Sequence, residues 1–168
     1  DGGFTWGVSS PMYNITQCGG LHGHLQVGVD GTVYVPNGNC PLGQVGLARS
    51  TDGGLSWTVH GIPNSVSDDD PGIGVGRGDE VSGGRVFFGA CQGGKPMVTV
   101  SSDRGETWSA LADVSGTTGV RNCAFPTMVA GDDDRAAFAF LGTTTPGAAA
   151  YGSDPAAFDG VWHLYVSV

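Results

Sequence analysis

Ser50-Thr51-Asp52-Gly53-Gly54-Leu55-Ser56-Trp57 recurs as Ser101-Ser102-Asp103-Arg104-Gly105-Glu106-Thr107-Trp108, and its tail opens the chain as Asp1-Gly2-Gly3-Phe4-Thr5-Trp6. Asp1, Asp52 and Asp103 are 51 residues apart, and so are Trp6, Trp57 and Trp108. A fixed long period signals stacked copies of one supersecondary unit. Within the phrase, Asp-x-Gly reads as a hairpin turn, with Gly supplying positive φ. The Asp carboxylate and the Ser hydroxyl accept and donate hydrogen bonds within the turn, and Trp is a large apolar plug beneath it.

Working outward, an apolar strand precedes each phrase, Gln44–Ala48 and Pro96–Val100, and the chain ends on an equivalent one, Trp162–Val168. Another strand follows each Trp. Upstream lies a second hairpin. Leu25–Val29 turns at Asp30-Gly31 into Thr32–Val35, the strongest short-range hairpin signal in the chain. Pro71–Val75 leads through a Gly-rich loop to Arg85–Phe88, and Pro126–Ala130 turns at Gly131–Asp134 into Arg135–Phe140. No long stretch has helical apolar spacing, and the 31 Gly and 9 Pro fall between strand-like runs, so the chain reads as all-β. The reading divides residues 1–168 into a lone strand at 1–10, four-stranded units at 21–62 and 70–113, and a partial unit at 124–168. Four-stranded antiparallel units repeated about an axis make a β-propeller, with about three blades here.

Charge sets limits. Sixteen acidic residues, 14 of them Asp, stand against seven basic ones, a net charge of −9. That argues against nucleic acid, whose phosphates need Lys and Arg, and against an anionic membrane surface. No apolar run approaches the ~20 residues of a membrane span. Four cysteines without a CxxC pair, in a Gly-rich, Lys-poor β chain, fit an oxidising compartment, hence a secreted or cell-surface protein. The chain opens inside a motif, which reads as a mature piece or a fragment.

The pattern Ser-x-Asp-x-Gly-x-x-Trp resembles the Asp-box, or BNR repeat, of the sialidase-like superfamily. The residues that carry this resemblance are Ser50, Asp52, Gly54 and Trp57, Ser101, Asp103, Gly105 and Trp108, and the partial copy with Asp1 and Trp6. The resemblance implies a propeller with its ligand site at the mouth of a central channel, reached by the residues just before the first strand of each unit. Those residues are His22 and His24, then Asp68 and Asp70, then Cys123 and Phe125 with Arg121 just upstream. Mixed His, Asp, Arg and Phe suits a glycan or another polar ligand. It also implies the remaining blades of a longer chain, or a second copy completing a ring.

A sialidase-like glycosidase would need an arginine triad and a Tyr/Glu pair. Of six arginines only Arg77 and Arg121 are easy candidates, and Glu is limited to Glu80 and Glu106. Asp70 is the one catalytic candidate. The activity expected is therefore a secreted glycoside hydrolase acting on terminal sugars, with a non-catalytic glycan- or protein-binding propeller, or a structural surface protein, as alternatives. His22-x-His24 is half a metal site without an obvious third ligand, so no metal or cofactor is expected. Of the three possible cysteine pairings, Cys18–Cys40 with Cys91–Cys123 is preferred: Cys40 and Cys91 hold one place in successive units, while Cys18 and Cys123 lie in the connections before a first strand. Asn14-Ile15-Thr16 matches a glycosylation acceptor pattern.

Overall fold

The repeated phrase folds as a turn that satisfies itself. Ser50 Oγ donates to Asp52 at 2.8 Å and accepts the Gly54 N–H at 2.9 Å, while the Ser56 N–H and hydroxyl both donate to the Asp52 carboxylate. The second copy repeats these bonds with Ser101, Asp103, Gly105 and Thr107. The Ser56 hydroxyl, its N–H and the Ser50 hydroxyl hold the Asp52 carboxyl down at about 2, and Thr107 does the same for Asp103. The tryptophans diverge. Trp108 packs edge-on against Phe88 in the core, Trp57 donates its indole N–H to Gly54 O, and Trp6 is 90% exposed.

The computed structural model describes residues 3, 5–66, 70–146 and 158–168. Asp1 of the partial copy lies outside the described residues, and residues 5–10 carry no strand. The strands are β1 Gln26–Val27, β2 Val33–Cys40, β3 Gln44–Ser50, β4 Thr58–Gly61, β5 Gly72–Val75, β6 Val86–Gln92, β7 Lys95–Ser101, β8 Ala112–Asp113, β9 Asn122–Asp132, β10 Arg135–Thr143 and β11 His163–Ser167. They form three antiparallel sheets in the orders β1-β2-β3-β4, β5-β6-β7-β8 and β11-β10-β9. The Asp30-Gly31 hairpin is present, with Gly31 at φ 82° and Thr32 donating to Asp30.

The expected β-propeller is corrected by this arrangement. The three sheets are separate, their contacts run sequentially from one to the next, and no sheet curls or closes among the described residues. The physical reason lies in the repeat itself. Every bond that defines the phrase is made within it, so the phrase specifies a hairpin and leaves the placement of whole sheets unstated. With no ring, the expected channel mouth and the further blades or second copy that would complete it fall away as well.

Two cores separate the sheets. Tyr34, Val45, Leu47, Ile62, Ile73, Val86, Phe88 and Ala90 form the first, and Phe87, Val120, Met128, Phe138 and Phe140 the second. β6 serves both. Val86, Phe88 and Ala90 alternate into one core while Phe87 points to the other, as the period of a strand requires. That is why Val86–Cys91 is apolar or small throughout.

Glycines set the distance between sheets. A Cβ at Gly72, Gly74 or Gly76 would lie 2.7–2.9 Å from atoms of Met128, Ala130 or Asp133, most of them backbone, so β5 runs against β9 with no side chains between. A Cβ at Gly23 would lie closer still, 2.0 Å from Pro71 O, which brings the segment before β1 onto the start of β5. The disulfide Cys18–Cys40 ties that segment to the end of β2, and Cys91–Cys123 joins β6 to β9 across two sheets. Ion pairs close the other end. Arg104 reaches the largely buried Asp30 at 2.8 Å, and Arg49 pairs with Glu106 at 2.5 Å. Burial works to raise the Asp30 pKa, but bonds from Thr32 and Arg104 outweigh it and hold the carboxyl low. Arg104 adopts φ 61°, where the first copy has Gly53 at 72°.

Two outcomes are expected. Gly74→Ala forces a Cβ into the β9 backbone and destabilises by about 1–3 kcal/mol, as overpacking does, measured by urea unfolding. Removing charge from both turns, with Asp52→Asn and Asp103→Asn together, lowers stability at neutral pH. Because both folded pKa values lie below the unfolded value of 3.8, this contribution is fully present above about pH 4 and is lost as pH falls toward 2. The gap between the native protein and the double variant should therefore narrow over that range in pH-dependent thermal unfolding.

Candidate functional site

The approach of the three sheets leaves a cleft at the leading ends of their first strands. It encloses about 400 Å³ and is lined by Gln26 of β1 with His24 just before it, Ile73 of β5 with Asp70 and Pro71 just before it, and Phe125, Thr127 and Met128 of β9. Ile73 and Met128, almost fully buried, make its floor. Polar atoms stand around an apolar base, the usual composition of a small-molecule site.

Backbone conformation aims two of these side chains. Phe125 sits at φ 50°, a true outlier for a bulky residue, and Asp70 at φ 54°. Phe125 lies where β9 bulges. Leu141 pairs with Ala124 and Ala139 with Thr127, so Phe125 and Pro126 together face the single residue Phe140. Pro126 cannot donate to the ladder, and prolines inside strands are confined to bulges and edges. The bulge leaves Phe125 54% exposed beside the cleft, on a strand whose neighbours Pro126 and Met128 are buried.

Three of the residues singled out from sequence, His24, Asp70 and Phe125, line this one cleft. Their common feature is position, each near the start of the first strand of a sheet. His22 does not line it. It forms an isolated bridge to Asn37, and its Nδ1 lies 3.2 Å from Gly23 O. Asp68 lies outside the described residues. Arg121 lines a separate cleft of about 500 Å³ with Gly93, Lys95 and Val120. There the Lys95 charge is answered by Asp113 at 3.3 Å. Gln26, Thr127 and Met128 were missed from sequence, and the legible signal for the last two was Pro126 inside an otherwise regular strand run. Among the described residues, no group of three or more His, Cys, Asp or Glu is placed to hold a metal ion.

Elsewhere the titratable groups serve the fold. Burial pushes the Tyr34 hydroxyl up to about 12. Burial and the neighbouring Arg49 lower His60, with Glu106 pulling the other way.

The sequence matches no protein-family model. It matches no curated protein. In fold, the chain is similar to the crystal structure of a protein of unknown function from Dyadobacter fermentans DSM 18053. The TM-score is 0.53 at 16% identity, covering 84% of this chain and 42% of that one. The chain thus spans less than half the length of that protein, and the likeness is one of fold. Membership of the Asp-box sialidase-like superfamily, expected from the repeated phrase, is corrected by these findings together with the unclosed sheets. The glycoside hydrolase, the glycan- or protein-binding propeller and the structural propeller that followed from it are withdrawn with it.

Phe125→Gly separates folding from function. Glycine adopts φ 50° freely, relieving about 1–2 kcal/mol of left-handed strain against about 0.5–1 kcal/mol of added chain entropy. The ring is 54% exposed, so the packing lost with it is partial, and the variant should stay folded within about 2 kcal/mol of the native protein in denaturant unfolding. A larger loss would show that Phe125 holds the fold.

Proposed function

We propose that this chain is an extracytoplasmic small-molecule-binding domain whose site is the cleft of His24, Gln26, Asp70, Phe125 and Thr127. The observation that carries the reading is the convergence of Asp70 and Phe125, two non-glycine residues in left-handed backbone, on one cleft from two different sheets. This backbone is a true outlier for Phe125 and easier for an aspartate, and strain of about 1–3 kcal/mol concentrates where side chains must be aimed at a ligand. A third sheet supplies an imidazole and an amide to the same space. Rigid walls support the reading too, because the glycine contacts and the Cys91–Cys123 bridge fix the sheets that carry the lining residues. The two disulfides support a place in an oxidising compartment.

The test is a fragment panel screened by ligand-observed NMR. Fragments should bind the native domain, lose binding in Phe125→Gly, and keep it in Arg121→Gln, whose side chain lines the other cleft. A panel without binders, or binders indifferent to Phe125→Gly, would remove the cleft as the site.

A further inference from the structure

Resting on that cleft as the site, we infer that its ligand is a small organic cation, an ammonium or alkylated amine with a compact apolar body. Four features of the cleft and its surroundings point the same way. Asp70 brings a carboxylate to the cleft, and among the described residues no hydrogen bond or ion pair engages it. Phe125 brings a half-exposed ring to the same space, and an aromatic face attracts a cation through its quadrupole. Neither Lys nor Arg is among the described lining residues. The basic groups of the described residues that do have ionic partners spend their charge elsewhere: Arg49 on Glu106, Arg104 on Asp30, Arg135 on Asp132 and Lys95 on Asp113.

The chain as a whole adds to this local preference. At a net charge of −9 it favours the approach of cations and disfavours that of anions. The apolar floor of Ile73 and Met128, with Pro71 beside it, suits methyl or methylene groups better than a hydration shell. An inorganic cation would need several oxygen ligands in close array, and among the described residues the cleft has one carboxylate. An alkylated ammonium instead uses the ring, the carboxylate and the apolar floor together. Gln26 and Thr127 remain for a hydroxyl or carbonyl on the same ligand.

The experiment compares choline with 3,3-dimethylbutan-1-ol, its uncharged isostere, by titration into the isotope-labelled native domain. Choline should shift the amide signals of Asp70, Gly72, Ile73, Phe125, Thr127, Met128 and Val129, and bind about tenfold more tightly than the isostere, the difference expected of a desolvated cation–π and carboxylate contact. Asp70→Asn should erase most of that preference while leaving the isostere's affinity unchanged. Equal binding of the two by the native domain would overturn the cation assignment and leave the cleft standing as a site. So would a cleft that takes neutral fragments of the panel but neither of these two. Silence from every fragment and both probes, with folded spectra, would instead overturn the site on which the inference rests.

Discussion

The strand β5 has no side chains where it meets β9, and most of the molecule follows from that. Gly72, Gly74 and Gly76 present bare backbone along one side, and β9 approaches within van der Waals distance of it. No other residue type permits this. The contact is not a hydrogen-bonded ladder, because β5 and β9 belong to different sheets. It fixes the spacing of the second and third sheets, and so the width of the core between them. On the other side of β5, Ile73 turns into the first core, while Gly23 rests on Pro71. One short strand therefore sets the position of all three sheets. The cleft is the space left at its leading end, where the glycines give way to Asp70 and Pro71.

The hairpins were legible in the sequence because their determinants are local. Asp30-Gly31 and the two Ser-x-Asp-x-Gly-x-x-Trp turns place glycine where positive φ is needed, except that Arg104 stands where the first copy has Gly53. The disulfide pairing was legible for a related reason, since equivalent positions in successive hairpins put each cysteine beside one partner. The arrangement of the sheets was not legible. The repeat suggested a ring, but the bonds of its recurring Ser, Asp and Gly close on themselves within eight residues. Even its tryptophans have three different fates, which a strictly periodic architecture would not produce. The information on stacking lies in features the period hides: the glycine stripe on β5, and a β6 apolar on both faces.

The site was half legible. His24, Asp70 and Phe125 share a position relative to the first strand of their sheets, and topology brings such positions together. Arg121 and His22 were grouped with them by sequence distance alone. His22 and Arg121 stand two and four residues before His24 and Phe125, a displacement of about 7–13 Å along an extended chain, which carries them away from the common space. The bulge at Phe125-Pro126 makes the same point from the other direction, since it turns outward a residue whose neighbours are buried.

Left-handed backbone does not by itself mark a site in this chain. Asn64 adopts it as asparagines readily do, and Leu42 adopts it in the turn Pro41–Gly43 between β2 and β3. Arg104 accepts it beside an ion pair to a largely buried aspartate, so its conformation is tied to a contact between two sheets. Phe125 and Asp70 differ from these three in where they lead. Their side chains reach the same cleft from different sheets, and each would be relieved by glycine, the residue this chain uses freely wherever the backbone alone matters. A sequence with 31 glycines that keeps a phenylalanine and an aspartate at these two positions is using their side chains, and the carboxylate and the ring together are what a small organic cation requires.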